Sequence, residues 1–340
     1  MLFGILVLCY FGNVIGQAPD WFSECVGFGC TATEYRHERC ESEPNYQGLL
    51  FCLNLADFVH VTFTGSGTIT IPVSIRPTQG LILDGSGHDI TLTGESIELN
   101  SSSIVYRINF DTGADDALKL QRGYENAWIH RCSFRNYGDG LIDITQAYSH
   151  VTVSNCRFAE HDKTMLIGSS TSDILDERMR ITIHNNYFVD CRQRMPRVRY
   201  ATVHIYNNVF QDWGLYAVLS SQTALVLLEN NYFDIVDITR AEMAHDTRPR
   251  GSDTSSGYLR AEANFYNTGI RGRTNQAERV GDMPYQYQLA TANDDMRAAV
   301  IAGAGALVIK KITNQARSYE VVRDVDFPAV NDLFLPVKDV

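Results

Sequence analysis

Between Asp190 and Tyr200 four arginines, Arg192, Arg194, Arg197 and Arg199, fall within eight residues of a chain whose formal net charge is −11. Guanidinium groups crowded in this way repel one another unless acidic groups lie between them, and the arginine fork matches carboxylate geometry. The cluster therefore points to an anionic ligand, or to partner carboxylates on the surface. A second set is acidic: Asp116, Asp139 and Asp143, followed by Lys163. Hard carboxylate oxygens without His or Cys suit Ca²⁺ rather than zinc. Whether the two sets meet depends on the elements that carry them.

Those elements repeat. Six segments align without gaps, ending at Phe110, Phe134, Phe158, Phe188, Phe210 and Phe233, at intervals of 24, 24, 30, 22 and 23 residues. Five residues before each Phe stand Val105, Ile129, Val153, Ile183, Ile205 and Leu228, and seven before stand Ser103, Ala127, Val151, Ile181, Val203 and Val226. This period-2 alternation predicts a short strand with one buried face in every segment. Asparagine recurs two residues before Phe (Asn186, Asn208, Asn231) and three before it (Asn155, Asn185, Asn207, Asn230). Asn tolerates tight bends, and stacked copies can hydrogen-bond as ladders. The expectation is all-β: a right-handed, single-stranded parallel β-helix with coils of 22–30 residues. A leucine-rich solenoid is excluded by its missing motif and a β-propeller by the short period. Cys132 and Cys156 share the ladder column of adjacent coils, where strand spacing permits a disulfide; buried thiols are the alternative, and Cys191 is left over.

The repeat gives the charges a common phase. Counted from the nearest Phe, Asp116 is six on, Asp139 five, Lys163 five and Arg194 six, with Asp143 nine on and Arg199 eleven on. Four successive coils thus carry these groups on one side, over three rungs or roughly 14 Å. An extended acidic polymer could touch every level, and a cation would relieve the repulsion among the aspartates.

The first 18 residues are apolar and uncharged and end in small residues, as a secretory signal does. Cys25, Cys30, Cys40 and Cys52 then form an even set suited to two disulfides in an oxidising compartment. Asn100-Ser101-Ser102 is a glycosylation sequon. The acidic balance argues against nucleic acid. No other long apolar run implies a membrane span, and the expectation is a secreted, extracellular monomer. The chain divides into a signal at 1–18, a cysteine-rich cap at 19–54, a β-helix domain at 55–304 and a tail at 305–340.

Together the motifs resemble the pectate lyase family of polysaccharide lyases, which includes pectin lyases and plant pollen allergens. They stand here as Leu-Ile-Leu-Asp-Gly-Ser-Gly at 81–87, Ala-Trp-Ile-His-Arg-Cys-Ser-Phe at 127–134, Asp-Gly-Leu-Ile-Asp at 139–143, His-Asp-Lys-Thr-Met-Leu-Ile-Gly at 161–168, Arg-Met-Pro-Arg-Val-Arg at 194–199 and Val-His-Ile-Tyr-Asn-Asn at 203–208. The resemblance covers residues 55 to 235 well. It implies Asp116, Asp139 and Asp143 as Ca²⁺ ligands, Arg194 as catalytic base, and Lys163, Arg199 and Arg197 as binders of substrate carboxylates. Two positions depart from the family pattern: His130-Arg131 stands where Asp-His is usual, and Ala114 where some members place an acid, with Asp115 as its substitute. Both lower the expected calcium affinity. Alternating side chains are expected to turn Arg197 away from Arg194 and Arg199. Trp213 and Tyr216 are candidates either for stacking on sugar rings or for core packing.

The activity so implied is cleavage of (1→4)-linked galacturonan by Ca²⁺-dependent β-elimination, on polygalacturonate as substrate. A pectin lyase would carry arginine at the Asp139 position. A polygalacturonase would carry Asn-Thr-Asp and Arg-Ile-Lys motifs, which are missing. A non-catalytic β-helix that binds polysaccharide is the reading from a different class, and Lys163, Arg194 and Arg199 together weigh against it.

Overall fold

The computed structural model describes residues 24–30, 38–55, 58–78, 80–236 and 242–306. Successive coils each add a strand to three parallel sheets of ten, nine and seven strands. The first sheet runs from Glu38–Ser42 to Tyr258–Glu262, the second from Gly67–Ile71 to Phe265–Tyr266, and the third from Ile97–Leu99 to Met243–Asp246. This is the parallel β-helix that the repeat predicts.

The register follows the apolar periodicity. Val61, Leu83, Val105, Ile129, Val153, Ile183, Ile205 and Leu228 pair one coil to the next in the first sheet, and all eight are fully shielded from solvent. Phe110, Phe134, Phe158, Phe188, Phe210 and Phe233 form a second internal column, with ring centroids 4.8–5.1 Å apart. Tyr266 extends it at 5.0 Å. A one-residue slip would turn every member of both columns outward, so burial itself pins the register.

The corner between the first two sheets explains the asparagines. Arg107, Arg131, Asn155, Asn185, Asn207 and Asn230, each three residues before its Phe, have φ between 50° and 54°. Asn is the side chain that enters this left-handed region at low cost. One residue later, Asn186, Asn208, Asn231 and Asn264 form a ladder. In each, the backbone and side-chain N–H groups donate to Oδ1 of the next, at 2.9–3.0 Å. Cys156 continues the column by donating its backbone N–H to Asn186 Oδ1 at 2.8 Å. The bridge that the spacing allowed between Cys132 and Cys156 is not formed, and both are buried free thiols, as is Cys191. Cys132 Sγ faces the Val105 carbonyl and Cys156 Sγ the Ser154 carbonyl, while Cys156 Sγ accepts the Cys132 N–H at 3.4 Å.

At the N-terminal end a disulfide joins Cys40 on the first strand to Cys52 on the helix Tyr46–Leu53. Cys25 is disulfide-bonded as well. The candidate signal at 1–18 and most of the tail, residues 307–340, lie outside the described residues. Asn100 of the sequon is buried, and its side-chain nitrogen donates to the Thr78 carbonyl at 2.6 Å. Among the described residues no helix is long and apolar enough to cross a membrane.

The C-terminal segment decides which outer faces remain open. Val280, Met283, Tyr287 and Leu289 pack on Tyr206 and Leu227 outside the first sheet. The helix Asp294–Gly303 lays Met296 and Val300 on Val209 and Tyr232 outside the second. The outer face of the third sheet carries the polar side chains that these layers leave uncovered.

The ladder makes a stability prediction. Asn208→Ala removes the acceptor for the Asn186 backbone and side-chain N–H groups and takes the Asn208 side-chain donor from the buried Ile183 carbonyl, while the Tyr206 carbonyl keeps the Asn185 N–H. At about 1–3 kcal/mol per unsatisfied buried group, the loss should reach about 3 kcal/mol or more. A denaturant titration checks it; a loss under about 1 kcal/mol would remove the ladder from the account.

Candidate active site

The third sheet presents an outer column, one residue per coil: Glu98, Lys119, Asp143, Leu166, Arg197, Leu219 and Asp246 are in register. The corner that leads into this sheet carries Asp115, Asp116, Asp139 and, one coil on, Lys163, which pairs with Gly140. One coil further the chain passes through Gln193, bridged to Lys163, and Arg194.

Gly140 is the pivot of the acidic groups. Its N–H donates to Asp116 Oδ1 at 2.7 Å. A β-carbon at Gly140 would stand 2.7 Å from Asp116 Oδ1 and 2.9 Å from Asp143 Oδ1, so only glycine lets both carboxylates close on this point. One carboxylate oxygen from each of Asp115, Asp116 and Asp139 lies within 4.8 Å of the others. Burial and the charges of Asp116 and Asp139 push the Asp143 carboxyl up to about 7. Burial and Asp115 raise Asp116 against the pull of the Gly140 hydrogen bond. Asp139 is opposite: its hydrogen bond from Lys163 Nζ, 2.6 Å long, holds it below the usual carboxylate range.

Arg194 adopts φ 65°, rare for a residue with a side chain. Flanking bonds hold it there: the Met165 N–H donates to the Arg194 carbonyl at 2.6 Å, and the Met195 N–H to the Ala217 carbonyl at 2.7 Å. Its guanidinium lies close enough to favour the ionised forms of both Asp139 and Asp143. Its Nε is buried and has no partner among the described residues. A polarised, incompletely satisfied guanidinium beside a carboxylate cluster is the arrangement expected of a group that meets a ligand.

Arg197 and Arg199 are placed differently from the expectation. Two residues apart on one short strand, Arg197–Arg199, they project to the same side rather than apart. Arg197 Nη2 donates to Asp253 Oδ2 at 2.8 Å and Arg199 Nε to Asp253 Oδ1 at 2.7 Å. Arg199 Nη1 also donates to the Gly168 carbonyl at 2.8 Å. Both arginines are buried, and the Asp253 side chain is fully so. Burial alone would raise that carboxyl, but the bonds from Arg199 and Arg197 hold it below its ordinary range. Trp213 and Tyr216 are buried, with Trp213 edge-on to Phe233 and Tyr216 beneath the Arg250 guanidinium; neither is available to stack on a sugar.

The departures fall unequally. His130 is buried in the first sheet, where Nδ1 meets Ser154 and Nε2 meets Glu24 Oε2 at 3.0 Å; Arg131 reaches the same carboxylate at 3.4 Å. His130 itself stands on a different sheet from the strands that carry the aspartates, and its partners are Ser154 and Glu24 rather than any member of the cluster. Ala114 does leave a gap, and Asp115 supplies an oxygen in its place.

The pectate lyase family profile matches residues 113–307. The chain belongs to the pectate lyase family. It is 33% identical over 185 residues to pectate lyase 1 of Ambrosia artemisiifolia, covering 54% of this chain and 46% of that protein. It is 42% identical over 164 residues to putative pectate lyase 2 of Arabidopsis thaliana, covering 47% and 42%. The chain thus spans less than half the length of these curated relatives. Among solved structures, the major allergen from cedar pollen superposes with a TM-score of 0.67 at 19% identity, over 86% of this chain and 97% of that one. A pectate lyase from Bacillus sp. N165 in complex with trigalacturonate gives 0.62 at 23% identity, over 83% and 98%.

Within this family member the acidic cluster fits a hard cation. The donors are all carboxylate oxygens, and two of them, Asp116 Oδ1 and Asp143 Oδ1, converge on the point where a β-carbon of residue 140 would stand. Two participants were not foreseen from sequence. Asp253 sits in a loop outside the repeat, with no phase to betray it. Lys119 extends its ammonium to Asp115, and to Asp116 Oδ2 at 3.6 Å; its one-coil spacing from Asp143 was the available signal.

Two outcomes follow. Asp143 and Asp116 hold their protons more tightly folded than unfolded, so without metal each costs stability as pH rises from about 4 towards 7. In chelator, melting temperature should fall across that interval, and Asp143→Asn should flatten the fall; an unchanged slope in the variant would contradict the assignment. Asp253→Asn strands two buried guanidinium groups and should cost about 3–5 kcal/mol in a denaturant titration; a loss below about 1 kcal/mol would show that the arginines are held otherwise.

Proposed function

We propose that this chain is a secreted pectate lyase that cleaves (1→4)-linked galacturonan by Ca²⁺-dependent β-elimination. The observation that carries the reading is the convergence of Asp116, Asp139 and Asp143 with Lys163 and Arg194 on consecutive coils beside one outer face. Groups of both signs at successive rungs suit a polyanion laid along the coils, its carboxylates meeting a cation at one level and ammonium or guanidinium groups at others. The trigalacturonate bound to the Bacillus relative supports the same substrate class.

Asp116, Asp139 and Asp143, aided by Asp115, would hold Ca²⁺, which when bound neutralises the uronate carboxylate and acidifies the neighbouring C5–H. Lys163, partly exposed and paired among the described residues with the exposed Asp139, can exchange that partner for the C6 carboxylate of the attacked sugar. Arg194 would take the C5 proton. The C5 electron pair forms the C4–C5 double bond, and the C4 oxygen leaves with the departing chain. Arginine is ordinarily always protonated, so a base of this kind implies an alkaline optimum. Arg197 and Arg199, buried against Asp253, would act on the polymer through their positive field and by fixing the strand that follows Arg194, more than by direct contact. Asp139, where a pectin lyase carries arginine, favours unesterified substrate.

With polygalacturonate and calcium the protein should generate the ultraviolet absorbance of unsaturated uronides, and chelator should abolish it. Arg194→Lys should keep polymer binding and lose about 10²–10⁴-fold in turnover, the usual cost of removing a general base. Activity on methylated pectin in excess chelator, or near-normal turnover in Arg194→Lys, would overturn the reading.

A further inference from the structure

Lys119 is the cation that this acidic cluster already contains. Its ammonium pairs with Asp115 and lies 3.6 Å from Asp116 Oδ2. Its charge also favours the ionised forms of Asp139 and Asp143. The stem rises from the strand Leu118–Leu120, in register between Glu98 on one side and Asp143 on the other. Glu98, one rung away, would be one natural partner. Arg122 occupies it, and Arg76 lies 3.7 Å from the same oxygen. With that carboxylate taken, Lys119 turns to the cluster.

The charge count shows what this does. Asp115, Asp116, Asp139 and Asp143 contribute four negative charges when ionised; Lys119, Lys163 and the nearby Arg194 contribute three positive ones, leaving −1. Lys163 sits on the outer carboxylate, Asp139, where substrate can displace it. Lys119 instead engages two of the three carboxylates whose oxygens lie mutually within 4.8 Å. A divalent cation entering among those oxygens must draw them away from the ammonium and then lie beside it.

We propose that Lys119 is a tethered competitor of the metal: it holds the acidic cluster together when no cation is bound and sets a high calcium threshold for loading the site. This rests on the calcium reading above, and extends it from the ligands to the residue that governs their affinity. Two charges against one at roughly 5 Å, even at the dielectric constant of water, amount to about tenfold or more in binding. The consequence is a lyase loaded only where calcium is abundant.

The test is calorimetric titration of the intact, metal-stripped protein with calcium chloride, without substrate. Lys119→Gln and Lys119→Met should each bind calcium about tenfold tighter or more, and Lys119→Arg, which keeps the charge, should bind as the unaltered protein does. Melting temperature in chelator supplies a second readout: both neutral variants should be less stable than the parent at pH 8, and calcium should reverse the order. Equal or weaker affinity in the neutral variants, with the parent still binding, would overturn the tethered competitor and leave the calcium site intact. Failure of parent and variants alike to bind at millimolar calcium would overturn both.

Discussion

Parallel stacking in a fixed register is the constraint on which the rest of this molecule depends. Residues one coil apart in sequence stand about 4.8 Å apart in space, so a phase in the repeat becomes a column in the structure. Inward columns hold the apolar series from Val61 to Leu228 and the Phe stack. Because those columns admit no slip, the outward ones are fixed with the same accuracy, and side chains 24 or more residues apart are brought into contact without any element dedicated to the purpose. The glycine at 140 completes the arrangement by removing the one β-carbon that would keep Asp116 and Asp143 apart.

Register alone would make an unstable site, since carboxylates so placed repel. The raised carboxyls of Asp143 and Asp116 are the imprint of that repulsion together with burial. Three basic groups answer it from different sides: Lys163 at the exposed edge on Asp139, Lys119 from within on Asp115 and Asp116, and Arg194 through space. Arg197 and Arg199 are occupied elsewhere, clamped on Asp253. Their buried pairs leave the backbone after Arg194 little freedom, and the left-handed conformation of that residue is bounded on both sides by hydrogen bonds to neighbouring coils.

Much of this was legible in the sequence. The six Phe-anchored segments gave strand phase, coil length and the Asn ladder, because in a solenoid local periodicity and tertiary register are the same quantity. The phase of Asp116, Asp139, Asp143, Lys163 and Arg194 brought them together for the same reason. What failed to show has equally physical causes. Asp253 lies in a loop that returns over the third sheet, where no repeat applies, so the burial of Arg197 and Arg199 was invisible and Arg197 was expected to point elsewhere. For Trp213 and Tyr216 the sequence left sugar stacking and core packing both open, and the corner after Phe210 decides for the core. Cys132 and Cys156 had the spacing for a bridge, yet they serve as thiol rungs of the Asn column. His130 stood for a lost supporting carboxylate only while the sheet that carries it was unknown.

The central claim is that the carboxylates around Gly140 bind a hard cation and that a uronate polymer lies across it towards Arg194. A crystal of the Arg194→Lys protein soaked with calcium and an oligogalacturonate tests this most directly, through the anomalous signal of the ion and the density of the sugar. The account predicts one calcium among Asp116, Asp139 and Asp143, with a uronate carboxylate on the ion and the C5 of that sugar facing residue 194. Calcium bound elsewhere, or an oligosaccharide lying along the first or second sheet with the Gly140 site empty, would contradict it.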